Sequence, residues 1–205
     1  MRAQRAGMSL QKIREQVSYL GDGIVDATAV LNHQVDVNIL SQAAHGFADT
    51  FWSRGVSKVL TIEVSGIVPA LFTAQKLGVP MVYARKGRRV TQKECYESPV
   101  KSRTTGSDTI ITVDKRVLTK GERVLVVDDF LARGEAVAGI ALIVEQAEAE
   151  LVGVCSVFEK TYEGARERLS GLGVPIVSYV QIDVRNEEME ILPGDVLQAL
   201  ERTGV

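Results

Sequence analysis

The stretch Val124-Leu125-Val126-Val127-Asp128-Asp129-Phe130-Leu131-Ala132-Arg133-Gly134-Glu135-Ala136 decides how this chain is read. Four consecutive apolar residues suit a strand buried on both faces, the kind found inside a parallel sheet. Two adjacent carboxylates follow, and a short turn containing Gly134 leads into a helix predicted over Glu135–Gln146. Strand ends often carry acids and helices often begin with polar residues, so each feature alone is ordinary. Together they describe one site. Adjacent acids at a strand tip can accept hydrogen bonds from sugar hydroxyls, and the free N–H groups of a helix start can hold a phosphate.

Outward from this segment, the pattern alternates between strands and helices. Lys58–Ile62 reads as a short buried strand. Ser65-Gly66 opens a helix with Pro69 in its first turn and Gly78 just past its end, the usual asymmetry of those two residues. Met81–Ala84, Leu151–Phe158 and Ile176–Ile182 are further strands, with a helix near Gly164–Leu172. Thr109–Val113 and Arg116–Leu118 suggest a hairpin around Asp114-Lys115. Towards the N-terminus, Leu10, Ile13, Val17 and Leu20 recur at helical spacing behind Ser9, a candidate N-cap, and Gly21-Asp22-Gly23 ends that helix. Ile39, Leu40, Ala43, Ala44, Phe47, Ala48 and Phe51 form one apolar stripe between Asp36 and Gly55, a second helix. Lys86 to Ser107 is polar and aperiodic, long for a loop in a compact domain, so a functional lid is expected there. Such alternation implies an α/β fold, a central, mainly parallel sheet flanked by helices, with ligands beyond the C-terminal ends of the strands.

Composition narrows the function classes. With 205 residues, 45% of them hydrophobic, the chain has ample material for one domain and is not disordered. A net charge of −2 and a pI near 5.8 argue against a general nucleic-acid binder. No apolar run reaches bilayer length and the N-terminus lacks a signal peptide's apolar stretch, so no membrane association and a cytoplasmic location are expected. Cys95 and Cys155 fit neither a zinc site nor a disulfide framework. His33 and His45 are too few for a histidine-rich metal site, and neither receives a chemical role. The run Arg85-Lys86-Gly87-Arg88-Arg89, with Lys101 and Arg103 further on, would ordinarily be a solvated face. Here it lies beyond a strand end, where a substrate with two phosphate groups needs cations.

The quoted segment resembles the phosphoribosyltransferase signature, in which a hydrophobic strand, two acids and a glycine-containing loop bind phosphoribosyl pyrophosphate (PRPP). The usual signature has threonines flanking the glycine, where this chain has Arg133 and Ala136. That departure is similar to the bacterial xanthine phosphoribosyltransferases. So are Leu31-Asn32-His33-Gln34, Thr61–Ala70 and the strand-ending pair Glu159-Lys160, all in that family's order. The resemblance spans about Leu10 to Val184. The seven residues before Met8 match nothing in it and read as either an upstream start or an expression remnant.

The resemblance implies a type I phosphoribosyltransferase fold in a single domain spanning 1–205. The core would run over about 37–159, under a small hood built from about 9–36 and 160–205. It implies that Asp128 and Asp129 are the catalytic acids on the ribose, and that Ala132, Arg133, Gly134, Glu135 and Ala136 wrap the 5′-phosphate. Glu63, Val64, Ser65 and Gly66 would form the pyrophosphate loop. Val25, Asn32 and Lys160 would contact xanthine. Arg85, Lys86, Lys101, Ser102 and Arg103 would supply mobile-loop and basic contacts. In the loop, Val100-Lys101-Ser102-Arg103-Thr104 carries cations where the family has aromatics. The implied reaction converts xanthine and PRPP to xanthosine 5′-monophosphate and pyrophosphate in purine salvage. Mg²⁺ would enter with PRPP, with no protein ligand assigned to it, and a homodimer is expected. The alternatives are a hypoxanthine-guanine or adenine phosphoribosyltransferase, or a non-catalytic PRPP-binding purine regulator. Such regulators carry a winged-helix domain ahead of the core, and about one helix precedes the second helix here.

Overall fold

The computed structural model describes residues 2–87, 94–101 and 108–203. Helix α1 (Arg2–Gln16) leads into a hairpin of β1 (Ser18–Gly21) and β2 (Ile24–Asp26), then a π-turn at Thr28–Asn32. Helix α2 (Val37–Phe51) follows, and the Asp36 side chain caps it by accepting from the N–H groups of Asn38 and Ile39. Strand β3 (Lys58–Ile62), helix α3 (Ile67–Leu77) and strand β4 (Met81–Lys86) form one crossover unit. Next come β5 (Cys95–Lys101), β6 (Asp108–Asp114), β7 (Arg123–Leu131), α4 (Glu135–Gln146) and β8 (Glu150–Lys160). A 3-10 turn (Thr161–Glu163) and α5 (Ala165–Arg168) precede β9 (Ile176–Arg185), β10 (Glu188–Pro193) and α6 (Asp195–Thr203).

Eight strands form one sheet in the order β10-β9-β8-β7-β3-β4-β6-β5. From β9 across to β4 every pairing is parallel, and the edges are antiparallel. Strand alternation supplies two cores. Leu125 and Val127 of β7 face α1, α2, α3 and α6, whereas Val124 and Val126 face α4 and α5. The chain moves from β3 towards one edge, returns to β7 beside β3, and then builds outward the other way. Such a switch of direction leaves a crevice between the two strands' C-terminal ends.

Several expectations are corrected at element level. The first helix stops at Gln16, and Leu20 lies on a hairpin strand with 65% exposure instead of on a buried helical face. Positive φ at Gly21, Asp22 and Gly23 makes the hairpin turn there. Ser9 lies inside α1, and its hydroxyl donates to Gln42 Oε1. The hairpin partner of β6 is β5, not residues 116–118. Residues 95–101 are thus a strand within the stretch read as structureless, and Ser102 and Arg103 fall outside the described residues. Of the stretch assigned to the hood, β9 and β10 pair in the main sheet. Helix α1 packs on α2 and α6, with Arg14 donating to the Ile191 carbonyl.

Candidate functional site

Pairing between β3 and β7 ends at Leu60 and Val126, while β7 continues along β8 to Leu131. Residues 128–131 therefore keep one open edge. The loop after β3 stands across from it, and a cleft of about 300 Å³ lies between them. Glu63–Gly66, Asp128, Asp129, Phe130 and Ala136 line the cleft, and Lys86 and Lys101 border it from the neighbouring strands.

The two acids differ. Asp128 is 5% exposed and its Oδ1 accepts from the Asp129 N–H at 3.0 Å, whereas Asp129 is only half-buried. Burial first, and then the neighbouring charge of Asp129, push the Asp128 carboxyl well above the usual carboxylate range, against the opposing pull of Lys86.

The loop Glu63–Gly66 is held by its own first residue. The Glu63 carboxylate accepts from the Lys86 N–H at 2.9 Å and lies 3.4 Å from Arg85 Nε. The Glu63–Val64 peptide is cis. A side chain at position 66 has no room: a Cβ there would lie 2.2 Å from Thr61 Oγ1 and 2.7 Å from Asp128 Oδ1. The loop backbone thus packs directly on the acid pair, and glycine is what permits it.

On the opposite side, Gly134 adopts φ +84°, which suits glycine, and turns the chain into α4. The first intrahelical bond runs from the Ala138 N–H to the Gly134 carbonyl, so the N–H groups of 135–137 have no carbonyl of their own helix to meet. These donors flank the cleft at Ala136, across the acid pair from the Glu63–Gly66 loop, where a helix start can hold an anion.

Beyond Phe130 the site continues towards β8. The Lys160 side chain is buried, donates to the Gly23 carbonyl at 2.7 Å, and sits 5.4 Å from the centre of the Phe130 ring. Phe130 in turn stacks on Phe158 with centroids 4.9 Å apart. Tyr162 also donates to Gly23, so the β1–β2 turn, and buried Val25 with it, is tied to the end of β8.

The structure therefore brings Asp128, Asp129, residues 63–66, Ala136, Lys86 and Lys101 to one cleft, whereas Lys160 does not line it and meets it through the Phe130 ring. Asn32 stands exposed at the end of the π-turn, outside the residues that line the cleft. Arg85 departs from the expected basic contacts. On β4 consecutive side chains alternate, so Lys86 reaches the cleft while Arg85 lies over the Tyr83 ring at 5.6 Å. Two participants escaped the sequence reading. Phe130 carries its signal in the quoted segment, as the aromatic after the acids. Thr61, a buried hydroxyl facing Gly66, stands at the head of the stretch Thr61–Ala70 but received no role of its own.

Among the described residues no three acidic, histidine or cysteine side chains gather as a metal cage. Asp128 and Asp129 are the acids that border the cleft with oxygens to spare, because Glu63 is engaged by Arg85 and the Lys86 N–H of β4. This donor set suits a Mg²⁺ ion that keeps waters and substrate oxygens as most of its ligands.

Comparison with known proteins agrees with this geometry. Residues 30–176 match the phosphoribosyl transferase domain family. Xanthine phosphoribosyltransferase of Oenococcus oeni is 42% identical over 174 residues, covering 84% of each chain. The Listeria innocua protein of the same name is 39% identical over 182 residues, covering 88% of this chain and 95% of its own. Among solved structures, adenine phosphoribosyltransferase from Thermoanaerobacter pseudethanolicus superposes with a TM-score of 0.71 at 24% identity. That match covers 84% of this chain and 99% of the other. The Giardia lamblia enzyme complexed with 9-deazaadenine gives 0.72 at 21% identity, over 85% and 98%. At that identity the structural likeness speaks for the fold.

Proposed function

Because the chain belongs to the phosphoribosyltransferase family, we propose that it joins xanthine to the ribosyl group of PRPP, releasing pyrophosphate and forming xanthosine 5′-monophosphate. The observation that carries this reading is the acid pair Asp128-Asp129 set between the Glu63–Gly66 loop and the start of α4 in one cleft. The choice of base rests on relatives named xanthine phosphoribosyltransferase at 36–42% identity.

In this reading Ala132–Ala136 wrap the 5′-phosphate through backbone N–H groups, and Glu63–Gly66 with Lys86 and Lys101 receive the pyrophosphate. Asp128 and Asp129 hold the ribose hydroxyls and favour the positive charge that develops on the sugar as the leaving group departs. Catalysis is then orientation and electrostatic support, with no covalent protein intermediate. Asp128 and Asp129 are the residues that would border a Mg²⁺ ion arriving with PRPP, which would supply positive charge to the pyrophosphate. The base lies against Phe130, with Lys160 beside it. A cation there favours the readily ionised xanthine over neutral guanine. Asn32 donates to the C2 oxygen of xanthine, where guanine presents an amino donor and leaves both groups unpaired.

Product analysis with xanthine, guanine, hypoxanthine and adenine tests the reaction; turnover of another base in preference to xanthine would reject it. For the base contact, Asn32→Asp is expected to lower kcat/KM for xanthine about tenfold, the worth of one hydrogen bond to a polar partner. The gap to guanine should narrow accordingly. An unchanged xanthine-to-guanine ratio would send the discriminating donor elsewhere. A cytoplasmic homodimer belongs to the same proposal and rests on the family resemblance; sedimentation equilibrium of the purified protein reads the second part.

A further inference from the structure

One buried carboxylate lies between the two ends of the site and takes no part in the contacts assigned above. Glu163 closes the 3-10 turn that follows Lys160, and its side chain is 6% exposed. Its Oε2 is 3.3 Å from Arg133 Nε, and its Oε1 is 3.9 Å from Lys160 Nζ. A carboxylate this far from water needs cations beside it. Here one cation comes from the phosphate loop and the other from the base side. Arg133 differs from its partner in being 55% exposed, so its guanidinium is free to pivot. Its own loop is the one that turns into α4. A phosphate arriving at that helix start carries up to twice the charge of a carboxylate and matches the guanidinium fork.

We propose that Glu163 is a positioning residue: it holds Arg133 beside the phosphate loop and exchanges it with the 5′-phosphate of PRPP, while Lys160 keeps the carboxylate's charge balanced. The inference rests on the phosphate-loop reading given above. It makes Arg133 the side-chain cation of a loop that lacks hydroxyl donors at 133 and 136, and it explains why a buried acid stands 30 residues away from that loop in sequence.

Initial rates with both substrates varied test the exchange. Glu163→Gln keeps the shape of the side chain and removes the competing charge, so KM for PRPP should fall about threefold, in line with a partly exposed ion pair. Arg133→Ala should raise it about tenfold with KM for xanthine moving less than twofold. Arg133→Lys should recover part of that loss. In the double variant Glu163→Gln with Arg133→Ala, the threefold gain should vanish. A purely structural glutamate would raise both KM values when replaced, and that outcome overturns the proposal. So does an unchanged KM for PRPP in Glu163→Gln or in Arg133→Ala, or a gain that survives in the double variant. Should Glu163→Gln not fold, Arg133→Ala decides alone, since its side chain is largely exposed. Calorimetric titration with Mg²⁺ and PRPP reads the same exchange without turnover. A protein that binds PRPP but ignores xanthine would sink the proposed reaction and leave this test intact.

Discussion

Asp128 and Asp129 are adjacent in sequence and opposite in surroundings, and this difference has a measurable consequence. The folded protein holds the Asp128 carboxyl above its ordinary value of 3.8, through burial and then the charge of Asp129. For a group whose pKa is raised on folding, the native state binds the proton more tightly than the unfolded chain does. Its contribution is thus fully present below the ordinary carboxylate range and is lost as pH rises through the folded value. Asp128→Asn removes that titration. Urea unfolding of the ligand-free variant should lose less stability than wild type between pH 4 and pH 7; identical slopes would show that Asp128 ionises freely. The same variant should lose turnover by about a hundredfold, the scale of one electrostatic contact made mainly in the transition state, with KM for PRPP changing less. Stability and activity then move in opposite directions at one residue, as expected where a strained carboxyl is kept for chemistry.

At the scale of elements, the entry to α3 is the tightest joint. A methyl group on residue 66 would press on Thr61 Oγ1 and Asp128 Oδ1, both buried and both attached to strands that cannot retreat. Gly66→Ala should cost about 1–3 kcal/mol, the usual penalty of overpacking, and should raise KM for PRPP by about tenfold as the loop shifts. Denaturant unfolding and steady-state kinetics check both, and a variant matching wild type in each would mean that the loop yields easily. Elements differ in how clearly the sequence announces them. Helix α2 was legible because its seven apolar positions fall on one face and all are buried. Strand β5 was not, because its one fully buried residue is Ser98, Pro99 interrupts the run and β6 supplies its pairing. The β1–β2 hairpin hid for a related reason. Its residues continue a helical spacing, yet α1 ends at Gln16, and the positive φ at Gly21, Asp22 and Gly23 turns the chain between two short strands.

At the scale of the whole molecule, Arg166 joins parts that local structure does not connect. Its guanidinium makes a bidentate pair with Glu159 at 2.6 and 2.7 Å and reaches Asp195 at 2.6 Å. Asp195 also accepts from the Ser178 N–H, and Gln181 donates to Glu159, so β8, β9, α5 and the start of α6 share one polar network. Both carboxylates hold the guanidinium firmly protonated, Glu159 being the stronger influence. Glu159 is 3% exposed and directly precedes Lys160, so the network also anchors the strand end that carries Lys160. Arg166→Ala would leave Glu159 without its charge partner. Its side chain keeps 40% exposure, which places the cost at about 2 kcal/mol, below that of a fully buried pair. For a chain of this length that is a melting temperature roughly 5 °C lower. Calorimetry showing no change would mean that water replaces the arginine at no cost.

The sequence by itself determined the strand at Val124–Val127, the acid pair after it, the Gly134 turn, the strand–helix alternation and hence a mainly parallel sheet. Each of these is a local matter: side-chain periodicity, a residue able to take positive φ, or a cap, all set within a few residues of the chain. Only the tertiary structure decided that β3 lies beside β7, so that residues 63–66 face residues 132–136 across the acids. It also decided that Lys86 rather than Arg85 enters the cleft, and that Glu163 meets Arg133. These relations depend on which strands pair and which faces are buried together. That choice is made by burial and hydrogen bonding summed over residues far apart in sequence, and no local pattern records it.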